Sequence, residues 1–161
     1  MKVFNGPRLV FGLFVLLFII ITEFVAAALK VPAWPAYLAW VLFFIADMDF
    51  GKVPQILVGG AVGILLVLAA PYVIGFLARA IGPEFGRLLY VLFAVYAIFA
   101  FGELIPLFLN NYTFMFVTVA AIALGAPDPN PPLWLAVELV GGGLLIGAIL
   151  GTLKLLDRGA H

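Results

Sequence analysis

Apolar residues run along this chain in long blocks, without the every-third-or-fourth spacing of a soluble helix, and short polar stretches separate the blocks. Leu9–Leu29 is 21 residues interrupted only by Thr22 and Glu23. About 20 helical residues cross a hydrocarbon core of about 30 Å, so this block reads as a first membrane span. Lys30, Pro32 and Pro35 end it, and Trp34, Tyr37 and Trp40 open a second block, Trp34–Ala46. That block has 13 residues, about 20 Å as helix, which is short for a full crossing. After the polar turn Asp47–Lys52, Val53–Leu77 is a long uncharged span, with Pro71 as a kink. Leu77–Arg87 reads as a loop and Leu88–Phe101 as the next span. Glu103 and Pro106 interrupt that span before Asn110-Asn111-Tyr112 ends it. Thr113–Gly125 is again a short block of 13 residues. A proline-rich turn, Pro127–Pro132, then leads into a last span, Leu133–Leu153.

The expected fold is an all-α, polytopic membrane helix bundle, forming one domain over residues 1–161. It has four long spans and two short segments that either cross or re-enter. If both cross, Lys2, Arg8, Lys52, Lys154 and Arg158 share one side against Lys30, Arg79 and Arg87. If both re-enter, Arg79 and Arg87 change places with Lys52, and the positive-inside bias is slightly stronger. Both readings put the two termini in the cytoplasm. Lys2 and Arg8 before an apolar run, with Ala26-Ala27-Ala28 after it, also fit a signal peptide, but the length of the run favours an uncleaved span.

The order long, short, long occurs twice, which predicts an internal repeat of residues 8–76 and 88–154. Placing Arg8 on Leu88 brings Leu9, Val15, Glu23, Leu29 and Ala46 onto identical residues, Glu23 onto Glu103 among them. A turn two residues longer then sets Leu57-Val58-Gly59-Gly60 on Leu139-Val140-Gly141-Gly142. Gly143, Gly147 and Gly151 form a small-residue stripe, as do Gly59 and Gly63. Such stripes are expected to serve helix packing within the chain first and a subunit interface second.

Composition adds limits. The chain is 66% hydrophobic and 10% charged, against about half and about a quarter in a soluble domain. Eight acids balance eight bases, so no basic face for nucleic acid is expected. There is no cysteine, and the one histidine is the terminal His161, expected to be frayed. Ser–His–Asp catalysis is thereby excluded, and no phosphate-loop, zinc or haem motif is present. The expectation is a protein that is not an enzyme and uses no cofactor; whether it binds a metal is left open.

The candidate chemistry lies in the acids within the apolar blocks. An ionised acid at membrane depth costs roughly 2.5–3.5 kcal/mol on the insertion scale, and such groups mark ion or substrate sites. No base lies at the depth of Glu23 or Glu103, so each is expected to hold a proton, meet a cation or face water. Glu23 and Glu103 are the primary candidates, with Asn110 and Asn111 in the broken segment and Tyr96 two turns before Glu103. Asp47 and Asp49 would form an acidic mouth that concentrates cations. Glu138 is the weakest candidate. It follows Pro132 by six residues, with Trp134 as an interface anchor, and is expected near the headgroups.

The segment Trp34-Pro35-Ala36-Tyr37-Leu38-Ala39-Trp40, followed by a glycine-rich helix, a short apolar segment and a glycine-rich last helix, resembles a family of small bacterial inner-membrane proteins of unknown function. The resemblance is one of layout. It implies a bacterial-type inner membrane and supplies no functional residue. The resulting expectation is a channel or transporter for a cation, a cationic solute or a proton-coupled substrate, assembled as a homo-oligomer in the lipid bilayer. The alternative is an accessory or substrate-capturing subunit of a larger membrane complex.

Overall fold

The computed structural model describes residues 6–158, so Lys2 and His161 lie outside the described residues. Seven helices account for most of them: α1 (Gly6–Leu29), α2 (Trp34–Ile45), α3 (Val53–Ile81), α4 (Pro83–Phe101), α5 (Asn111–Ala123), α6 (Pro131–Ala136) and α7 (Gly143–Arg158). A π-helical segment, Val137–Gly142, joins α6 to α7 into one long broken helix. No strand occurs among the described residues. Four helical stretches are long and apolar enough to cross a membrane: Arg8–Leu29, Phe50–Ile81, Pro83–Phe101 and Pro131–Leu156. α2 and α5 are the two short apolar helices. By length and composition these four helices suggest an integral membrane protein.

Local chemistry sets most helix ends. Lys30 takes a left-handed backbone (φ 54°) just past α1, as do Asp47 and Met48 (φ 53° and 57°) past α2. Asp49 then accepts a hydrogen bond from the Gly51 backbone N–H at 2.8 Å and starts the single 3-10 turn before α3. The expected loop at Leu77–Arg87 shrinks to one residue. α3 continues through Pro71 to Ile81, and Gly82 alone, at φ 85°, turns the chain into α4. Glycine is required there because other residues are strained at that backbone angle. Pro83 then opens α4, where its missing N–H does no harm.

The core is built around the short helices. Ala36, Ala39, Trp40, Leu42 and Phe43 of α2 are all buried against the π segment and α7. α5 packs along α3 through Thr113, Phe116 and Ala120. The glycines of α3 make that contact close: a β-carbon at Gly63 would lie 2.7 Å from the Phe116 Cβ and from the Thr113 carbonyl. Gly142 makes the equivalent approach to α2, with the Ala39 Cβ 2.7 Å from a β-carbon placed there. A β-carbon at Gly147 or Gly151 would meet nothing within 4 Å, and one at Gly143 only Leu57 at 3.9 Å. The stripe expected to pack within the chain therefore faces outward over most of its length, whereas Gly59 and Gly63 pack as expected. α1 and α4 lie at the periphery, α1 against α7 and α4 against α3 and α5. They leave large apolar side chains such as Leu13, Phe24, Phe93 and Phe99 exposed, as lipid-facing surfaces do.

Candidate functional site

Among the described residues Glu138 is the one acid that the fold takes fully out of contact with the surface: its side chain is 0% exposed. Both carboxyl oxygens are buried without a hydrogen-bond partner. Leaving a buried polar group unmet costs about 1–3 kcal/mol, so the position is maintained against a penalty. Three features create it. The π segment inserts an extra residue into the helical turn, which re-aims the side chain. Gly60 on α3 leaves the space into which the carboxyl fits, since a β-carbon there would be 2.6 Å from Glu138 Oε1. The Phe116 ring closes the same spot from α5, 2.7 Å from that point. The carboxyl thus lies where three helices meet, walled by glycine backbone and an aromatic ring.

Glu138, the weakest candidate in the sequence, is thus the most enclosed of the acids among the described residues. The expected anchor before it, Trp134, is 3% exposed and stacks edge-on against Trp34 with ring centroids 5.4 Å apart.

One turn of α3 away lies a polar cluster. Asn110 caps α5, its Oδ1 accepting from the N–H groups of Tyr112 (2.8 Å) and Thr113 (3.0 Å). Its Nδ2 donates to the Pro106 carbonyl at 2.8 Å and the Gln55 carbonyl at 3.2 Å, tying α5 to α3. Thr113, fully buried, donates to the Phe108 carbonyl at 2.7 Å. Both side chains crowd Gly59, the residue before Gly60, within 2.9 Å of where its β-carbon would be. Thr113 and Phe116 are not among the residues that the sequence singles out. Gly60 is, as part of the doubled Leu-Val-Gly-Gly, where the expectation is an internal repeat and not a wall for Glu138.

Glu103 and Asn111 share an open recess with Asn110, about 340 Å³ in volume, lined also by Phe99 and Gly102. Three of the five primary candidates are therefore neighbours. Tyr96 is not one of them: it is 68% exposed on the outer face of α4 and does not line the recess. Glu23 is elsewhere. It is exposed on α1 and accepts a 2.8 Å hydrogen bond from the Tyr37 hydroxyl, which also approaches the Ile19 carbonyl at 3.3 Å. Its partner is a neutral phenol, and no recess or hydrogen bond joins it to Glu103. Asp47 and Asp49 are exposed in the turn before α3, and Asp49 has the capping task described above. Among the described residues no group of three or more acids or histidines could hold a metal ion, and a single carboxyl is a one-ligand site.

Chemically, an orphaned carboxyl can accept a proton or a small cation, and it gains most from whichever supplies the missing partner. No protein-family model, curated protein or solved structure matches the chain, and its function has to be read from its own geometry.

Proposed function

We propose that the protein is a small transporter or channel for protons, a small cation or a proton-coupled solute, with Glu138 as its binding carboxyl. The carrying observation is the fully buried, unpartnered carboxyl at the meeting of α3, α5 and a helix broken by a π segment. A buried acid without partner or base is hard to justify as packing, and broken helices at mid-bundle are the usual setting of transport sites.

Two inverted repeats would frame the site. On α3 the buried residues are Ile56, Gly60, Gly63, Ile64 and Val67, with Gly59. The offset from Gly60 to Gly142 is 82, and it carries those five onto Glu138, Gly142, Leu145, Ile146 and Ile149, all buried. In the short helices, the offset of 80 from Arg8 to Leu88 pairs Ala36 with Phe116 and Trp40 with Ala120, all four buried and large set against small. The contacts reciprocate. Gly60 meets Phe116, and Gly142 lies near the matching Ala36. Gly60 also meets Glu138 while Gly142 meets Leu57, so the two long helices cross in opposite chain senses. Opposite senses favour six crossings over four, because two re-entrant segments would leave α3 and the last helix running the same way. The termini then share the cytoplasmic side of a bacterial-type inner membrane, and the base count is five to three.

Leu-Val-Gly-Gly supplies the moving part. It is α-helical in α3 and π-helical in the last helix. The same four residues therefore accept both windings, and a change from π to α would turn Glu138 away from Gly60. The outward glycines at Gly147 and Gly151 and the thinly covered α1 support a homo-oligomer.

Flux assays in proteoliposomes test the site, using a pH-sensitive dye and a panel of monovalent cations. Glu138→Gln is expected to abolish flux that Glu23→Gln retains. Flux unchanged in Glu138→Gln would remove Glu138 as the site.

A further inference from the structure

A second crevice, remote from Glu138, runs between α3, α4 and α5. It encloses about 350 Å³, with walls from Leu66 and Ala70 of α3, Val91 and Ala94 of α4, and Ala121 of α5. Two of its lining residues are polar. The Tyr90 hydroxyl is committed to the Leu66 carbonyl, which leaves Arg87 free to take a ligand's charge. Arg87 is exposed at the crevice end nearest the Gly82 turn and also lines the adjoining recess with Glu84. Arg79, in the last turn of α3, adds a second positive charge at that end, so the three groups sum to one net positive. From Arg87 to Val95 the crevice follows α4 for eight residues, about 12 Å. One cationic end and an apolar length match an amphiphile with an anionic head.

We infer that this crevice binds one anionic phospholipid, its acyl chain between the helices and its phosphate on Arg87. A guanidinium presents paired N–H donors that fit phosphate oxygens. A free anion would use Arg87 and leave the apolar length unused. A separate crevice, between α1, α2 and the last helix, serves as an internal control. It is of similar size, about 390 Å³, and is lined by residues such as Thr22, Ala26, Ala36 and Val140 without a charged side chain. It can take a chain but has nothing to select a headgroup.

The test is thermal unfolding of delipidated protein in neutral detergent, titrated with phosphatidylglycerol, with phosphatidylcholine of the same chains, or with inorganic phosphate. Native mass spectrometry counts the retained lipid. Phosphatidylglycerol is expected to raise the unfolding midpoint more than phosphatidylcholine, with about fivefold tighter retention of one molecule per chain. Inorganic phosphate should have no effect. Arg87→Gln should erase the preference, and Ala121→Phe should block retention without lowering the lipid-free midpoint. Ala136→Phe, in the control crevice, should leave the preference intact. Equal response to both lipids, a preference that persists in Arg87→Gln, or full stabilisation by inorganic phosphate would each overturn the assignment.

Discussion

At the scale of single residues, Glu138 and Glu23 show how differently two membrane acids are kept. Glu23 has a donor, Tyr37, and faces outward; Glu138 has none and is sealed inside. Stability should therefore respond in opposite directions. Glu138→Met replaces an orphaned carboxyl by an apolar chain of similar length, and should raise stability by about 1–3 kcal/mol in reversible denaturation while flux is lost. A loss of stability on that change would mean the carboxyl has a structural partner. Tyr37→Phe removes one hydrogen bond to an exposed acid and should cost about 0.5–1.5 kcal/mol, with flux preserved. In the sequence both acids were visible as unpaired charges in apolar blocks. Their ranking was not, because burial of Glu138 depends on Gly60 and Phe116, contributed by helices distant in sequence.

At the scale of elements, the block pattern made all six apolar segments legible, and the two short ones were recognised as unlike the rest. The glycines were only half legible. Spacing alone made Gly59–Gly63 and Gly143–Gly151 equivalent stripes, yet the first is filled by α5 and the second is bare. What a glycine meets is decided by a helix distant in sequence, which spacing does not encode. The π segment was equally hidden, since Leu-Val-Gly-Gly has the same local preferences in both halves and only the packed surroundings differ. Two substitutions separate the stripes. Gly63→Ala puts a methyl against the Phe116 Cβ and the Thr113 carbonyl and should destabilise by about 1–3 kcal/mol. Gly147→Ala has open space and should be neutral, or stabilise by up to about 1 kcal/mol through helix propensity. Gly147→Leu should reduce the oligomer seen by light scattering in detergent while leaving secondary structure unchanged. An unaltered oligomer would place the subunit interface elsewhere.

At the scale of the whole molecule, the proposed arrangement is two three-helix halves of opposite orientation that exchange their short helices and cross at Glu138. The absence of cysteine makes its topology simple to test. Single cysteines at Met48 and Asp128, in the corresponding turns of the two halves, should react with an impermeant maleimide from opposite sides of the membrane. Labelling of both from one side would fit re-entrant short segments and parallel halves instead. The proposed repeat has a signal in the sequence, five identities and a doubled tetrapeptide. The proposed inversion has no such signal, because chain sense at the crossing is a property of contacts such as Gly60 with Glu138 and Gly142 with Leu57.

The most direct measurement is carbodiimide modification of the protein in membranes, read residue by residue by mass spectrometry. Carbodiimides react with protonated carboxyls in apolar surroundings. If Glu138 opens to exchange its occupant, it should be modified slowly, be protected by the transported cation or by alkaline pH, and lose flux in step with modification. A Glu138 that stays unmodified while Glu23 and Glu103 react, with flux falling alongside them, would contradict the central claim.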